Sequence, residues 1–214
     1  IAGMDLGEWI QSSEVHSVKH VLQVLRQLAC AVDHVHAQGI VHRDIKPSNI
    51  MLDMLHPRSD ELVKLIDFGI AVQEGAMSDP GTRTLLGTPA YMAPEQAAGE
   101  CCTRASDLYA LGALALEMLT GAPPFDYCEL TQILAAVQHE KPLGPSARGL
   151  VEPGLDAFFE CALARDPAAR FASAGELSAA LSAVFERDGA PSISGASGVP
   201  PWAELSEAPW LWRQ

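Results

Sequence analysis

No apolar run in this chain reaches the ~20 residues that a bilayer-spanning helix needs, and the longest, Leu108 to Leu116, falls well short. The sequence therefore predicts no transmembrane segment, and no apolar leader follows a basic start. Basic residues are scarce, 14 Lys and Arg against 27 Asp and Glu, for a formal charge of -13. That balance excludes general affinity for nucleic acid or anionic membrane and disfavours acidic substrates. Cysteine is sparse and unpaired in pattern: Cys30, Cys101, Cys102, Cys128 and Cys161 make an odd number with no C-x-x-C. A disulfide or zinc framework is excluded, and reduced thiols in a cytoplasmic setting are expected. The adjacent Cys101 and Cys102 read as small residues of a surface loop. What the chain does have is 48% hydrophobic and 19% charged residues over 214 positions, enough for one globular domain with a substantial core and a tail.

Periodicity places the elements. Ser17 precedes Val18, Val21, Leu22, Leu25, Leu28, Ala29, Val32 and Val35, an apolar stripe at helical spacing that Gly39 stops. A buried support helix follows, with His34 and His36 near its C-terminal end, where an imidazolium complements the dipole. Two histidines at i and i+2 face different ways, so a shared metal is not expected. Ile40-Val41 predicts a short strand, and Ile50 to Leu52 with Leu62 to Ile66 predicts a hairpin joined by a surface loop from Asp53 to Glu61. The most apolar helix is predicted at Leu108 to Leu119, capped by Ser106-Asp107 and ended by Gly121-Ala122-Pro123-Pro124. Runs at Leu130 to Val137, Leu155 to Ala164 and Ala174 to Phe185, the last capped by Ser173, complete a helical body. After Arg187 the composition turns to Gly, Ala, Pro and Ser, which marks residues 188–201 as a linker. Trp202, Trp210 and Trp212 then place three of four tryptophans in the last thirteen residues. Docking of this end on the body or a partner, and a disordered end, are both open.

Between the predicted strands lies a set of polar residues at fixed offsets: His42-Arg43-Asp44, Lys46, Asn49 and Asp67-Phe68-Gly69. Asp44 is acceptor-only when ionised, and Lys46 is a compact positive charge. Asn49 and Asp67 offer the hard oxygen ligands that Mg²⁺ prefers when phosphates complete its shell. The pattern H-R-D-x-K-x-x-N followed by D-F-G resembles the eukaryotic-type (Hanks-type) serine/threonine protein kinases. The style of Ile45-Lys46-Pro47-Ser48-Asn49 and of Gly87-Thr88-Pro89-Ala90-Tyr91-Met92-Ala93-Pro94-Glu95-Gln96 is similar to bacterial members of that family.

The resemblance implies a site and its cofactors, ATP and Mg²⁺. Asp44 would orient a substrate hydroxyl and take its proton, and Lys46 would face the γ-phosphate. Thr88 would bridge Asp44 and Lys46, Asn49 and Asp67 would hold Mg²⁺, and Met51 would lie beneath the adenine. Asp5 or a neighbour would meet the ribose, unless it simply starts a helix. Thr82 and Thr84 fall in an activation segment from Gly69 to Glu95, where phosphorylation would give Arg43 a bidentate partner. His42 and Phe68 are implied as structural residues. Glu95 is implied to pair with Arg170, and Asp107 to accept hydrogen bonds from the catalytic-loop backbone. The Lys at Asp44 plus two implies the serine/threonine branch, so the expected partners are proteins with Ser or Thr acceptors.

The family's glycine-rich phosphate loop and N-lobe lysine have no counterpart here. Gly3 and Gly7 do not make G-x-G-x-x-G, and no V-A-I-K-like segment precedes His42. The expected fold is thus mainly α with a small β-hairpin, a kinase-like C-lobe over residues 1–187 with the N-lobe absent. The chain opens on Ile1 and reads as a fragment, which alone would transfer phosphate negligibly. The competing classes are a non-catalytic, pseudokinase-like interaction module and a small-molecule phosphotransferase. The first has no need of Asp44, Lys46, Asn49 and Asp67 together. The second has no need of Gly87-Thr88-Pro89 and Ala93-Pro94-Glu95, which the resemblance makes a protein-substrate platform.

Overall fold

A long helix, α2 (Val18–Ala37), supports one side of the site, and its local chemistry accounts for its limits. In the computed structural model, which describes residues 3–12, 17–52, 63–67, 72–73 and 89–186, Ser17 Oγ accepts from the His20 amide at 3.3 Å. Gly39 closes the other end at φ 73°, a left-handed conformation that glycine adopts without a Cβ clash. Val21, Val24, Leu25, Leu28, Ala29 and Val32 bury one face.

Helix α4 (Arg104–Thr120) runs through the middle and is buried on nearly every side, as a helix apolar all round must be. Its start differs from the sequence expectation. The cap is Thr103, whose Oγ1 accepts from the Ala105 amide at 3.3 Å, and Ser106 Oγ accepts from the Thr103 amide at 3.1 Å. Ser106 and Asp107 therefore lie inside the first turn. Two hydroxyl residues three apart offered two possible caps, and the upstream one wins because the downstream one serves both the cap and a buried carboxylate. Gly112 lets α6 (Leu155–Ala162) approach: a Cβ there would lie 3.0 Å from the Ala162 Cβ.

The strands are more numerous than the hairpin and the short Ile40-Val41 strand expected. β3 (Ile50–Leu52) pairs with β4 (Val63–Leu65), Ile50 opposite Leu65, and β1 (Met4–Asp5) adds to the other edge with Asp5 opposite Met51. A second sheet joins β2 (Ile40–Val41) to β5 (Val72–Gln73), antiparallel. Just after β1, Asp5 caps α1 (Leu6–Gln11) through a reciprocal capping box with Glu8. Its carboxylate is thus a helix start.

The remaining helices close the body. α3 (Pro94–Ala97) follows a buried turn at Pro89–Tyr91, and α5 (Leu130–His139) packs a small satellite core of Phe125, Ala136 and Val137. α6 ends at Ala162, two residues before the expected limit. α7 (Ala174–Glu186) is capped by Ser173 Oγ, which accepts from the Glu176 amide at 3.1 Å. It also receives a carboxylate from afar: Asp33 of α2 accepts from the amides of Ala174 at 2.9 Å and Gly175 at 2.8 Å. Asp33→Ala leaves both amides of the α7 N-terminus without this acceptor and is expected to cost about 1–2 kcal/mol. A lowered urea midpoint with an unchanged m-value would measure it. Among the described residues no helix is long and apolar enough to cross a membrane. The linker and tryptophan segment expected beyond Arg187 lie outside the described residues.

Candidate active site

β2 delivers the chain into residues 42–46, and a 3-10 turn at Pro47–Asn49 returns it into β3. These short offsets fold Asp44, Lys46 and Asn49 onto one another. Lys46 Nζ lies 2.7 Å from Asp44 Oδ2. Asn49 Nδ2 donates to the same oxygen at 3.0 Å and to the Asp44 carbonyl at 2.8 Å. Asp44 and Lys46 are both partly open to solvent, as a group that meets a substrate must be.

β4 then brings Asp67 to the cluster. The Ile66 amide donates to the Asn49 carbonyl at 2.9 Å, so the strand pairing itself sets Asp67 beside the 3-10 turn. Asp67 is exposed and sits at φ 61°; Arg43, at φ 69°, is the other non-glycine residue in the left-handed region among those described. Arg43 adjoins Asp44, and Asp67 follows the residue bonded to the Asn49 carbonyl. Such strained backbone persists only where the surroundings fix it, and it gathers at functional sites.

Buried beneath the cluster is His42, 1% exposed. Burial lowers its pKa, against the opposing pull of Asp107, Asp44, the Ile66 backbone and Asp67. Burial outweighs the three carboxylates and keeps the ring toward its neutral form. Asp107, 1% exposed, is the anchor of the loop. Its Oδ2 accepts from the His42 amide at 2.9 Å and its Oδ1 from the Arg43 amide at 2.8 Å. His36 Nε2 is 2.7 Å from the same Oδ2. His36 lies in the last turn of α2, as the sequence placed it; what the sequence did not show is its burial against this carboxylate. Its position four residues after Val32, on the buried stripe of α2, was the available signal.

The segment from Pro89 to Ala97 is tied in from two directions. Tyr91 donates to Glu117 Oε2 of α4 at 2.7 Å. Gln96 of α3 accepts from the Ala93 amide at 3.1 Å through Oε1 and donates to the Arg43 carbonyl at 2.9 Å through Nε2. Below them Glu95 meets Arg170 in a two-pronged pair, Nη1 to Oε1 and Nη2 to Oε2, both 2.8 Å. Ser106 Oγ donates to Glu95 Oε1 at 2.7 Å. The carbonyls of Ala164, Ala105 and Arg165 take the other Arg170 hydrogens, and the guanidinium stacks 5.0 Å from the Tyr109 ring centre. Cys102 is half-buried nearby, its thiol pushed up to about 11 by burial against the pull of Arg43. It stays protonated at neutral pH.

Of the other expected residues, Met51 lies half-buried in β3 opposite Lys64 and Asp5. Phe68, Thr82, Thr84 and Thr88 lie outside the described residues. The donors present suit a hard cation shared with a phosphate. Asn49 turns its Nδ2 to Asp44, which leaves Oδ1 as the amide atom able to meet a cation, and Asp67 offers a carboxylate. Among the described residues no group of three or more His, Cys, Asp or Glu could hold a metal unaided.

This arrangement has relatives. The family model described as the protein kinase domain matches residues 1–181. Serine/threonine-protein kinase PrkC of Bacillus subtilis is 35% identical over 189 residues, covering 88% of this chain and 28% of the relative. Serine/threonine-protein kinase PknD of Mycobacterium tuberculosis is 41% identical over 162 residues, covering 73% and 23%. The chain therefore spans about a quarter of the length of these curated relatives. The crystal structure of the Mycobacterium tuberculosis PknI kinase domain superposes with a TM-score of 0.63 at 30% identity, covering 86% of this chain and 62% of that one.

Proposed function

Because the chain belongs to the protein kinase domain family, we propose that it is the C-lobe of a bacterial-type serine/threonine kinase, moving the γ-phosphate of ATP to Ser or Thr hydroxyls of proteins. The observation that carries this reading is the convergence of Lys46 and Asn49 on one carboxylate oxygen of Asp44, with Asp67 set alongside by the Ile66 to Asn49 bond. The names of the relatives agree with it.

Asp44 accepts the proton of the substrate hydroxyl as its oxygen bonds to the γ-phosphorus and ADP departs. Lys46, held within reach of that carboxylate, turns its ammonium to the charge gathering on the transferred group. Asn49 and Asp67 would hold Mg²⁺, which when bound with ATP offsets phosphate charge. Thr88 would orient Asp44 and Lys46, and Met51 would supply a soft apolar floor for adenine. Phosphate on Thr82 or Thr84 would be met by Arg43. No residue here plays the phosphate-covering loop or the N-lobe lysine, so residues 1–187 work as half of an ATP site and 188–214 as a linker and tail. The scarcity of basic residues argues against nucleic acid or anionic membrane as a partner of this segment. A cytoplasmic location is the reading supported by five cysteines, an odd number without a C-x-x-C pair.

The test joins the chain to an N-lobe. With Mg-ATP the complete kinase domain is expected to phosphorylate a generic Ser/Thr substrate and to yield a phosphopeptide containing Thr82 and Thr84, while the isolated chain incorporates almost nothing. If the complete protein labels neither itself nor the substrate, the assignment fails.

A further inference from the structure

Arg43 stands directly before Asp44 with φ at 69°, and both sides of it are held by side chains from elsewhere in the fold. Its amide donates to Asp107 of the central helix at 2.8 Å. Its carbonyl accepts from Gln96 Nε2 at 2.9 Å. That carbonyl belongs to the peptide plane joining residues 43 and 44, so the Gln96 bond sets the plane from which the Asp44 side chain leaves. The other end of the same amide, Oε1, accepts from the Ala93 amide at 3.1 Å. Ala93 opens Ala93-Pro94-Glu95, one of the two stretches that were read as the substrate platform. One planar group thus grips a residue of the platform and the residue preceding the base.

We infer that Gln96 is a positioning residue, which makes the placement of Asp44 depend on the platform segment being seated. The inference rests on the kinase reading for its meaning, but its geometry can be tested apart from activity. A carboxylate at position 96 can still accept from the Ala93 amide, yet when ionised it has no hydrogen to give the Arg43 carbonyl. Gln96→Glu therefore removes one bond and keeps the other, whereas Gln96→Ala removes both.

In the complete kinase, Gln96→Glu is expected to lower kcat about tenfold, the effect of one lost neutral hydrogen bond. The KM for ATP should stay at its wild-type value and the Tm should fall less than in Gln96→Ala, which loses both bonds and lowers kcat as well. In the full chain, hydrogen exchange of the peptide covering residues 42–46 should quicken severalfold in Gln96→Glu, with the α4 amides unchanged. Wild-type kcat together with wild-type exchange in Gln96→Glu would overturn the inference. So would a Tm loss equal to that of Gln96→Ala, which would make the residue a helix cap alone. If the wild-type protein transfers no phosphate, the kinase reading fails, and the exchange comparison still decides the role of Gln96.

Discussion

In the complete kinase domain, Asp44→Asn is expected to cut the rate of phosphotransfer by about 10²- to 10⁴-fold, the usual worth of a positioned general base. The reason is local. Asp44 Oδ2 receives Lys46 Nζ at 2.7 Å and Asn49 Nδ2 at 3.0 Å, and an asparagine oxygen can take both contacts in the same shape. What it cannot do is accept the proton of a hydroxyl under attack. The fold should therefore survive, with nucleotide affinity and Tm close to wild type, while turnover collapses. Single-turnover kinetics with Mg-ATP and a Ser/Thr protein would read this, and an Asn variant with wild-type turnover would remove Asp44 from the chemistry.

The largest loss of stability is expected from Arg170→Met. The arginine side chain is fully buried, and its hydrogen-bond partners are all oxygens inside the fold, led by the two of Glu95. Removing one member of a buried pair strands the other, at a cost of about 3–5 kcal/mol. The pH dependence should change as well. In the wild type, burial pushes the Glu95 carboxyl up, but the hydrogen bonds and charge of Arg170, with the Ser106 hydroxyl, bring it below its ordinary value. A group depressed by folding adds stability above its unfolded pKa and loses it as pH falls through the folded one. Without Arg170 the upward push of burial prevails, so Glu95 gains a proton on folding and the sign reverses. The deficit of the variant should shrink between pH 7 and pH 5. Urea unfolding at both values would show it; an equal deficit at each would mean that packing, not charge, sets the cost.

Much of this site could be read from the chain because its chemistry is local. Asp44, Lys46 and Asn49 lie within six residues, and one 3-10 turn suffices to join them. The apolar stripes of α2 and α4 were legible for the same reason, being repeated many times. Signals failed where they were short or distant. β1 and β5 are two residues each, too brief for alternation to register. Asp33 serves amides about 140 positions away, and nothing near it in sequence marks it as a cap. The burial of His36 in the last turn of α2 went unseen because its partner, Asp107, sits 71 positions on. The α4 boundary slipped because Thr103 and Ser106 are both competent caps, and the choice depends on Glu95 drawing the Ser106 hydroxyl.

Asp107 grips the loop through the peptide hydrogens of residues 42 and 43, groups that every amino acid except proline carries. The mounting is thus indifferent to which side chains the loop bears. Chemistry at the tip and attachment at the base form separable modules, so a lineage can retune the former by substitution while the socket in α4 stays as it is.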